Sequence, residues 1–206
     1  MSESSADRTG LGLFEVMSTC RAMRRLRPDP VPDPLVRRLV ESANCAPSGR
    51  NLQRARWIIV RDPEQRRRLG DLNRRASVEH ATAERDAGRE PRMWDAVLWQ
   101  ADHMHEAPVI IVACCVMDDA KQDPGRYASS VWPGIQNVLL AARASGLGAA
   151  PTTYALAFRD ELESVLELPS HVRAQAVIPV GFPLGRFGPV RRLPVEDVLM
   201  CDRWSG

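Results

Sequence analysis

A chain of 206 residues, 44% of them apolar, can close one substantial core and gives no reason to expect a second domain. Its net charge of +2 is too small to argue for nucleic acid, and no apolar run approaches the roughly 18 residues of a membrane span. Five scattered cysteines without CxxC spacing fit reduced thiols, and the polar, acidic residues 1–10 look like a flexible tail rather than a signal peptide, so a single cytoplasmic domain over 11–206 is expected.

Leu13, Val16 and Met17 repeat at helical spacing and predict a short amphipathic helix over 11–19. Arg21, Arg24, Arg25 and Arg27 then crowd into seven residues, a cluster that repels itself unless carboxylates or an anion neutralise it. Pro28, Pro30 and Pro32 force an extended path after it. Lys121 is the only lysine; the other basic residues are arginines, whose guanidinium forks match phosphate oxygens. Asp33-Pro34 predicts a helix start, with Asp33 as N-cap and Val36, Leu39, Val40 and Ala43 on the inward face.

That helix delivers the chain to Ala46–Gln53, where Ser48, Asn51 and Gln53 project hydroxyl and amide groups from a loop between two regular elements. The composition fits a plain surface turn; it also fits donors and acceptors set against a planar heterocycle. Trp57–Val60 predicts a buried strand, and Asp62-Pro63 starts another helix carrying Leu69 and Leu72. From Arg74 to Arg92 the chain is charged and lacks a convincing core face, so a mobile excursion or lid over 74–92 is expected. Met93–His105 returns to helical spacing through Trp94, Val97, Leu98 and Ala101, and Pro108–Val116 is apolar on both faces, the pattern of a central strand.

A polar loop over 118–125 leads to a long helix, Tyr127–Ser145, with Pro133 in its first turn and Gly146-Leu147-Gly148 as its stop. Gln136 and Asn137 interrupt its apolar stretch, either exposed or bonded to something buried. Ala149–Tyr154 is small and extended, Arg159–Leu168 predicts a short helix, and Ala174–Gly181 a buried strand whose Pro179 suits a sheet edge or strand end. Residues 194–206 read as an arm in need of a surface. Irregular alternation of helices with three strands predicts an α+β layered domain.

The chain carries no GxGxxG after a strand, no GxxxxGK[ST], no HExxH and no GxSxG. His103 and His105 form an HxH without a second ligand cluster, so no metal is expected. What remains is an arginine cluster, an amide-rich loop, a small-residue segment after a helix and a late Arg191-Arg192 pair. Together these could hold a phosphate at one end and a ring at the other.

The order of these pieces resembles the nitroreductase family of FMN-dependent oxidoreductases from about Leu13 to Trp204. The resemblance is carried by Arg21-Ala-Met-Arg-Arg-Leu26 with its prolines, Ala46-Pro-Ser-Gly-Arg-Asn-Leu-Gln53, Ile135 through Gly148, Val180-Gly-Phe-Pro183 and Arg191-Arg-Leu-Pro194. It implies a nitroreductase-like layered fold, a central mixed or antiparallel sheet wrapped by helices, and an intertwined homodimer with FMN at the subunit interface. It also implies that Arg21 and Arg24 bind the phosphate with Arg191 and Arg192, and that Ala22 stands at a small-residue position. Pro47, Ser48, Asn51 and Gln53 would form a flavin-contacting loop given by the second subunit. Pro151, Thr152 and Thr153 would run along the ring near N5. No catalytic residue is implied, because hydride chemistry belongs to flavin N5. The expected activity is transfer of electrons from NADH or NADPH to small nitroaromatic, quinone or similar acceptors by ping-pong, with no nucleic-acid or membrane partner. The alternatives are a flavin-dependent dehydrogenase of a biosynthetic intermediate and a non-catalytic flavin-binding protein.

Overall fold

β2 (Val109–Val116) is fully buried along almost all its length because both its faces are covered. A computed structural model describes residues 11–118 and 123–204; the amino-terminal tail and the middle of the 118–125 loop lie outside the described residues. Within them β2 pairs antiparallel with β1 (Ala55–Val60) on one side and with β4 (Val172–Gly181) on the other. A two-residue β3 (Gly148–Ala149) completes the order β1-β2-β4-β3.

The alternation of β2 assigns its residues to two cores. Val109, Ile111, Ala113 and Cys115 pack with α2 (Asp33–Asn44) and α5 (Trp132–Ala144), while Ile110, Val112 and Cys114 pack with α3 (Pro63–Asp86) and α6 (Arg159–Val165). α4 (Pro91–His103) lies along α3, tied by an Arg74–Asp102 ion pair of 2.8 Å. The sheet is thus antiparallel yet covered by helices on both faces, a three-layer α+β fold. Among the described residues no helix is long and apolar enough to cross a membrane.

Several local expectations meet a different outcome. Asp62 caps α3 by accepting the Gln65 N–H at 2.8 Å, but Asp33 is itself the first residue of α2 and spends its carboxylate on Arg61 at 2.6 Å. Pro179 sits two residues from the end of β4, on the side where the short β3 segment has left the ladder; the next backbone pair on that side is Thr152 with Val177. Asn137 donates Nδ2–H to the Ser42 carbonyl at 3.0 Å, and Gln136 is exposed.

The largest departure is 74–92. α3 runs unbroken to Asp86, and Ser77 and Ala81 are wholly buried on its inner face. Small residues supply that face, so no bulky apolar periodicity announces it. In the short α1 (Leu13–Thr19) the reverse holds: Val16 is buried, but Leu13, Phe14 and Met17 stay exposed.

Candidate functional site

The arginine-rich segment is held as an added strand-like edge beside β3 and the end of β4. Met23 donates its N–H to the Ala149 carbonyl (3.1 Å), Arg27 to Phe182 (2.7 Å), and Leu184 returns an N–H to Arg25 (3.0 Å). Met23 and Leu26 are buried beneath the segment, which throws Arg21 and Arg25 outward and leaves Arg24 half-buried. The approach to β3 is close: a Cβ on Gly148 would lie 2.8 Å from the Met23 Cβ. Further along, Val190 donates to the Ser18 carbonyl at 2.9 Å, which brings Arg191 and Arg192 alongside the start of the same segment, and Arg21 lies against Gly188.

Arg24 reaches a cavity of about 210 Å³ whose other walls are Asn73 of α3, Val97 and Gln100 of α4, and the segment Pro151–Tyr154. Burial pushes the Arg24 guanidinium below its ordinary pKa, opposed by the neighbouring Tyr154. Among the described residues it has neither a hydrogen-bond acceptor nor an ion-pair partner. Thr152 is buried and committed three times, through backbone pairing with Val177, an Oγ1–H donated to Asn73 Oδ1 at 2.8 Å and an N–H accepted from Tyr154 at 3.3 Å. Thr153 is exposed beside it. Gln100 is only 5% exposed, and its Nε2 has no acceptor among the described residues. Such a group costs about 1–3 kcal/mol if nothing satisfies it.

A larger cavity, about 720 Å³, opens between the proline segment and α3, lined by Pro28, Pro30, Arg61, Arg66 and His105 among others. Its arginines are already spent. Arg61 bonds Asp33 and the Val31 carbonyl, and Arg66 bonds the carbonyls of Arg61, His105 and Ala107. The smaller cavity is the one whose arginine is uncommitted among the described residues.

The Ala46–Gln53 loop does not reach that cavity within one chain. It precedes Ala55, which pairs with Cys115, itself opposite Arg173 at the start of β4; the arginine segment docks on Ala149, which pairs with Val180, and on Phe182, at the far end of the same strand. Seven residues of strand separate the two, roughly 23 Å. The loop is nevertheless firmly shaped. Ser48 Oγ accepts the Gln53 N–H at 2.8 Å, Ser130 Oγ accepts the Gly49 N–H at 3.2 Å, and a 3-10 turn spans Gly49–Asn51. Arg50, Asn51 and Gln53 all take φ near +50°, a left-handed conformation that costs an L-residue about 1–2 kcal/mol. Pro47, Asn51 and Gln53 are exposed.

Arg54, next to the loop, is a structural residue. It donates to the Val116 carbonyl (3.1 Å) and Asp118 (2.6 Å) and lies over the Tyr127 ring, whose hydroxyl donates to the same carboxylate at 2.8 Å. The hydrogen bonds from Arg54 and Tyr127 hold Asp118 below the usual carboxylate range.

The model of the nitroreductase family matches residues 18–182 of this sequence. The chain belongs to the nitroreductase family. An NADH dehydrogenase of Thermus thermophilus is 31% identical to it over 87% of this chain and 91% of that one, and an iodotyrosine deiodinase of Thermotoga neapolitana is 29% identical over 83% and 88%. Among solved structures, an oxidised iodotyrosine deiodinase bound to FMN and 3-iodo-L-tyrosine superposes with a TM-score of 0.75 at 24% identity, over 94% of this chain and all of that one. In this nitroreductase-family chain Arg24, expected at the phosphate with Arg21, instead lines the cavity with Pro151–Thr153, while Arg21 lies beside the segment that carries Arg191 and Arg192. Asn73, Gln100 and Tyr154 line the same cavity and were not among the expected residues. A signal existed: Asn73 and Gln100 are amides at positions where helical spacing calls for apolar residues.

Proposed function

We propose that this chain is an FMN-dependent oxidoreductase that accepts electrons from NADH or NADPH and passes them, by ping-pong, to nitroaromatic, quinone or similar electron-poor acceptors. The observation that carries the reading is Arg24, a desolvated guanidinium without an acceptor, facing the Pro151–Thr153 segment across a small cavity. An electron-rich ring edge satisfies such a donor. Arg21, Arg191 and Arg192 are exposed beside it and suit a phosphate, where each charge-assisted bond contributes about 1.5–3 kcal/mol. Ala22 adds no side-chain contact and leaves room for the group.

FMN, when bound, supplies a hydride-accepting N5 and so makes a protein nucleophile unnecessary. The chain's own work is to bind, orient and exclude water. Thr152 is fixed by β4 and Asn73, which holds the Pro151–Thr153 backbone rigid against the ring. Thr153, exposed and without a side-chain hydrogen bond among the described residues, faces the open side, where donor and acceptor would follow one another.

A cavity of about 210 Å³ falls below the roughly 300–1,000 Å³ of ligand sites, so one chain supplies only part of the walls. A second copy, placing its own Pro47, Ser48, Asn51 and Gln53 over the ring, would supply the remainder. The exposed Leu13, Phe14 and Met17 of α1 and Leu193, Val198, Leu199 and Trp204 of the arm are the apolar surface such a homodimer would cover. An absorption spectrum of the purified protein followed by anaerobic titration with NADH and NADPH tests this. Bleaching by either nicotinamide, and recovery on adding a quinone or nitroaromatic, is expected. Failure to take up any FMN would end the reading, and recovery only with a halogenated tyrosine would move it to reductive dehalogenation.

A further inference from the structure

We infer that the Tyr154 hydroxyl is the proton donor to the electron acceptor, delivering its proton to the oxygen of a quinone held at the cavity. This rests on the flavin reading above and concerns the second half of that reaction. A quinone that receives a hydride must also gain a proton before it leaves as a hydroquinone. The cavity wall holds few groups that can supply one. Asn73 and Gln100 are amides, Val97 and Pro151 carry no acidic proton, and Thr152 and Thr153 are alcohols, which hydrogen-bond well but are far too weak as acids. The Arg24 guanidinium keeps its proton. What remains is Tyr154, a phenol on that wall whose hydroxyl makes no hydrogen bond among the described residues.

The surroundings suit the task. Burial raises the Tyr154 hydroxyl above its ordinary pKa, with Arg24 opposing the rise and Glu84 adding to it, so the proton is in place at neutral pH. The Tyr154 N–H donates to Thr152 Oγ1 at 3.3 Å, which ties its backbone to the Pro151–Thr153 segment. Arg24 offers a positive charge to the tyrosinate that the transfer leaves behind. Glu84 of α3 is no rival acid, because Arg89 binds both its oxygens, at 2.6 and 2.7 Å, and holds it below the usual carboxylate range. His80, also on α3, is exposed, with its ring 6.4 Å from the Tyr154 ring and edge-on to Trp94 at 5.2 Å. In the step, the Tyr154 O–H bond breaks and an O–H bond forms on the quinone. The electron pair stays on the Tyr154 oxygen, and a proton from water, entering on the His80 side, restores the hydroxyl. The reduced cofactor supplies the hydride, and hydride plus proton convert quinone to hydroquinone. Donor and product are both phenols, so the proton passes between oxygens of similar basicity.

Tyr154→Phe deletes the hydroxyl and keeps the ring. Reoxidation of the reduced holoenzyme is followed by stopped flow at saturating FMN with two acceptors, 1,4-benzoquinone and ferricyanide, which takes electrons and no proton. The ratio of the quinone rate to the ferricyanide rate should fall about a hundredfold in the variant. A second readout needs no turnover. The chain has two tyrosines, Tyr127 and Tyr154, so the tyrosinate absorbance of wild type minus variant isolates one phenol, which should ionise only above pH 10.0. An unchanged ratio, which includes equal slowing with both acceptors, would overturn the inference and leave the flavin reading intact. So would a Tyr154 already ionised at neutral pH. A wild type that takes up no FMN would overturn both.

Discussion

Gly148→Ala separates positioning of the arginines from stability of the fold. The backbone at Gly148 is ordinary, but an added Cβ would meet the Met23 Cβ at 2.8 Å, Leu26 Cδ2 at 2.9 Å and the Pro183 Cβ at 3.3 Å. Met23 Cβ, the nearest of these, is fixed to the backbone and cannot swing aside as the Leu26 methyl can, so the arginine segment itself must give way. Overpacking of this kind costs about 1–3 kcal/mol. Full detachment would cost more: three inter-segment hydrogen bonds at about 0.5–1.5 kcal/mol each, and the burial of Met23 and Leu26 at about 1.5–3 kcal/mol each. The segment therefore stays docked but displaced. The expected loss of Tm is roughly 2–4 °C per kcal/mol for a chain of this size. Displacing Arg21 and Arg24 by a few tenths of an ångström should forfeit about one charge-assisted bond, 1.5–3 kcal/mol, or at least a tenfold loss of FMN affinity.

Gly146→Ala is the control. Gly146 has φ +72° with open space around it, at the stop of α5, so alanine there costs about 1–2 kcal/mol of backbone strain without touching the arginines. Urea unfolding and FMN titration on both variants decide the matter. Equal stability losses with a binding defect only in Gly148→Ala are expected; equal binding in both would refute the docking account of the arginines.

Arg21→Ala and Arg192→Ala should each weaken FMN about tenfold by titration and leave riboflavin, which lacks the phosphate, nearly unchanged. Equal loss for both flavins would remove these arginines from the phosphate. Cys114, wholly buried, has its thiol pushed up to about 12 from 9.0, chiefly by burial. Cys114 and Cys115 should therefore resist a disulfide reagent at pH 8 until the protein is unfolded, as a thiol count on native and denatured protein would reveal. Because the folded thiol holds its proton while the unfolded one releases it, this group leaves stability unchanged below pH 9. Between pH 9 and 12 it removes about 1.4 kcal/mol per pH unit, readable from denaturation midpoints across that range.

What the sequence revealed and what it hid follow from one distinction: whether the partner of a residue is in the chain. β2, α2 and α5 were legible because Ile111, Leu39 and Val138 bury large side chains against one another at strand and helix spacing. The second half of α3 was illegible because its inner face is made of Ser77 and Ala81, which satisfy close packing without an apolar stripe. Leu13 and Met17 carried the right spacing, yet periodicity says that a face is covered and not what covers it. Asn73 and Gln100 broke their helical patterns for a reason no spacing rule reaches, since one is committed across 79 residues to Thr152 and the other has an amide nitrogen with no acceptor among the described residues.

The polarity of the antiparallel sheet turns that distinction into a requirement. The two conspicuous polar features of the sequence, the Arg21–Arg27 cluster and the Ala46–Gln53 loop, lie toward opposite ends of the sheet. No rearrangement of side chains brings them together, because each is tied to its end by backbone hydrogen bonds or by the register of β1 on β2. Arg50, Asn51 and Gln53 keep strained left-handed angles in an exposed loop that is tied to the rest of the chain through Ser130. Strain held on an exposed loop persists where the shape itself serves a contact. Arg24, Gln100 and this loop are thus three incomplete halves of polar contacts, and on the proposed reading a flavin held between two copies of the chain would complete all of them at once.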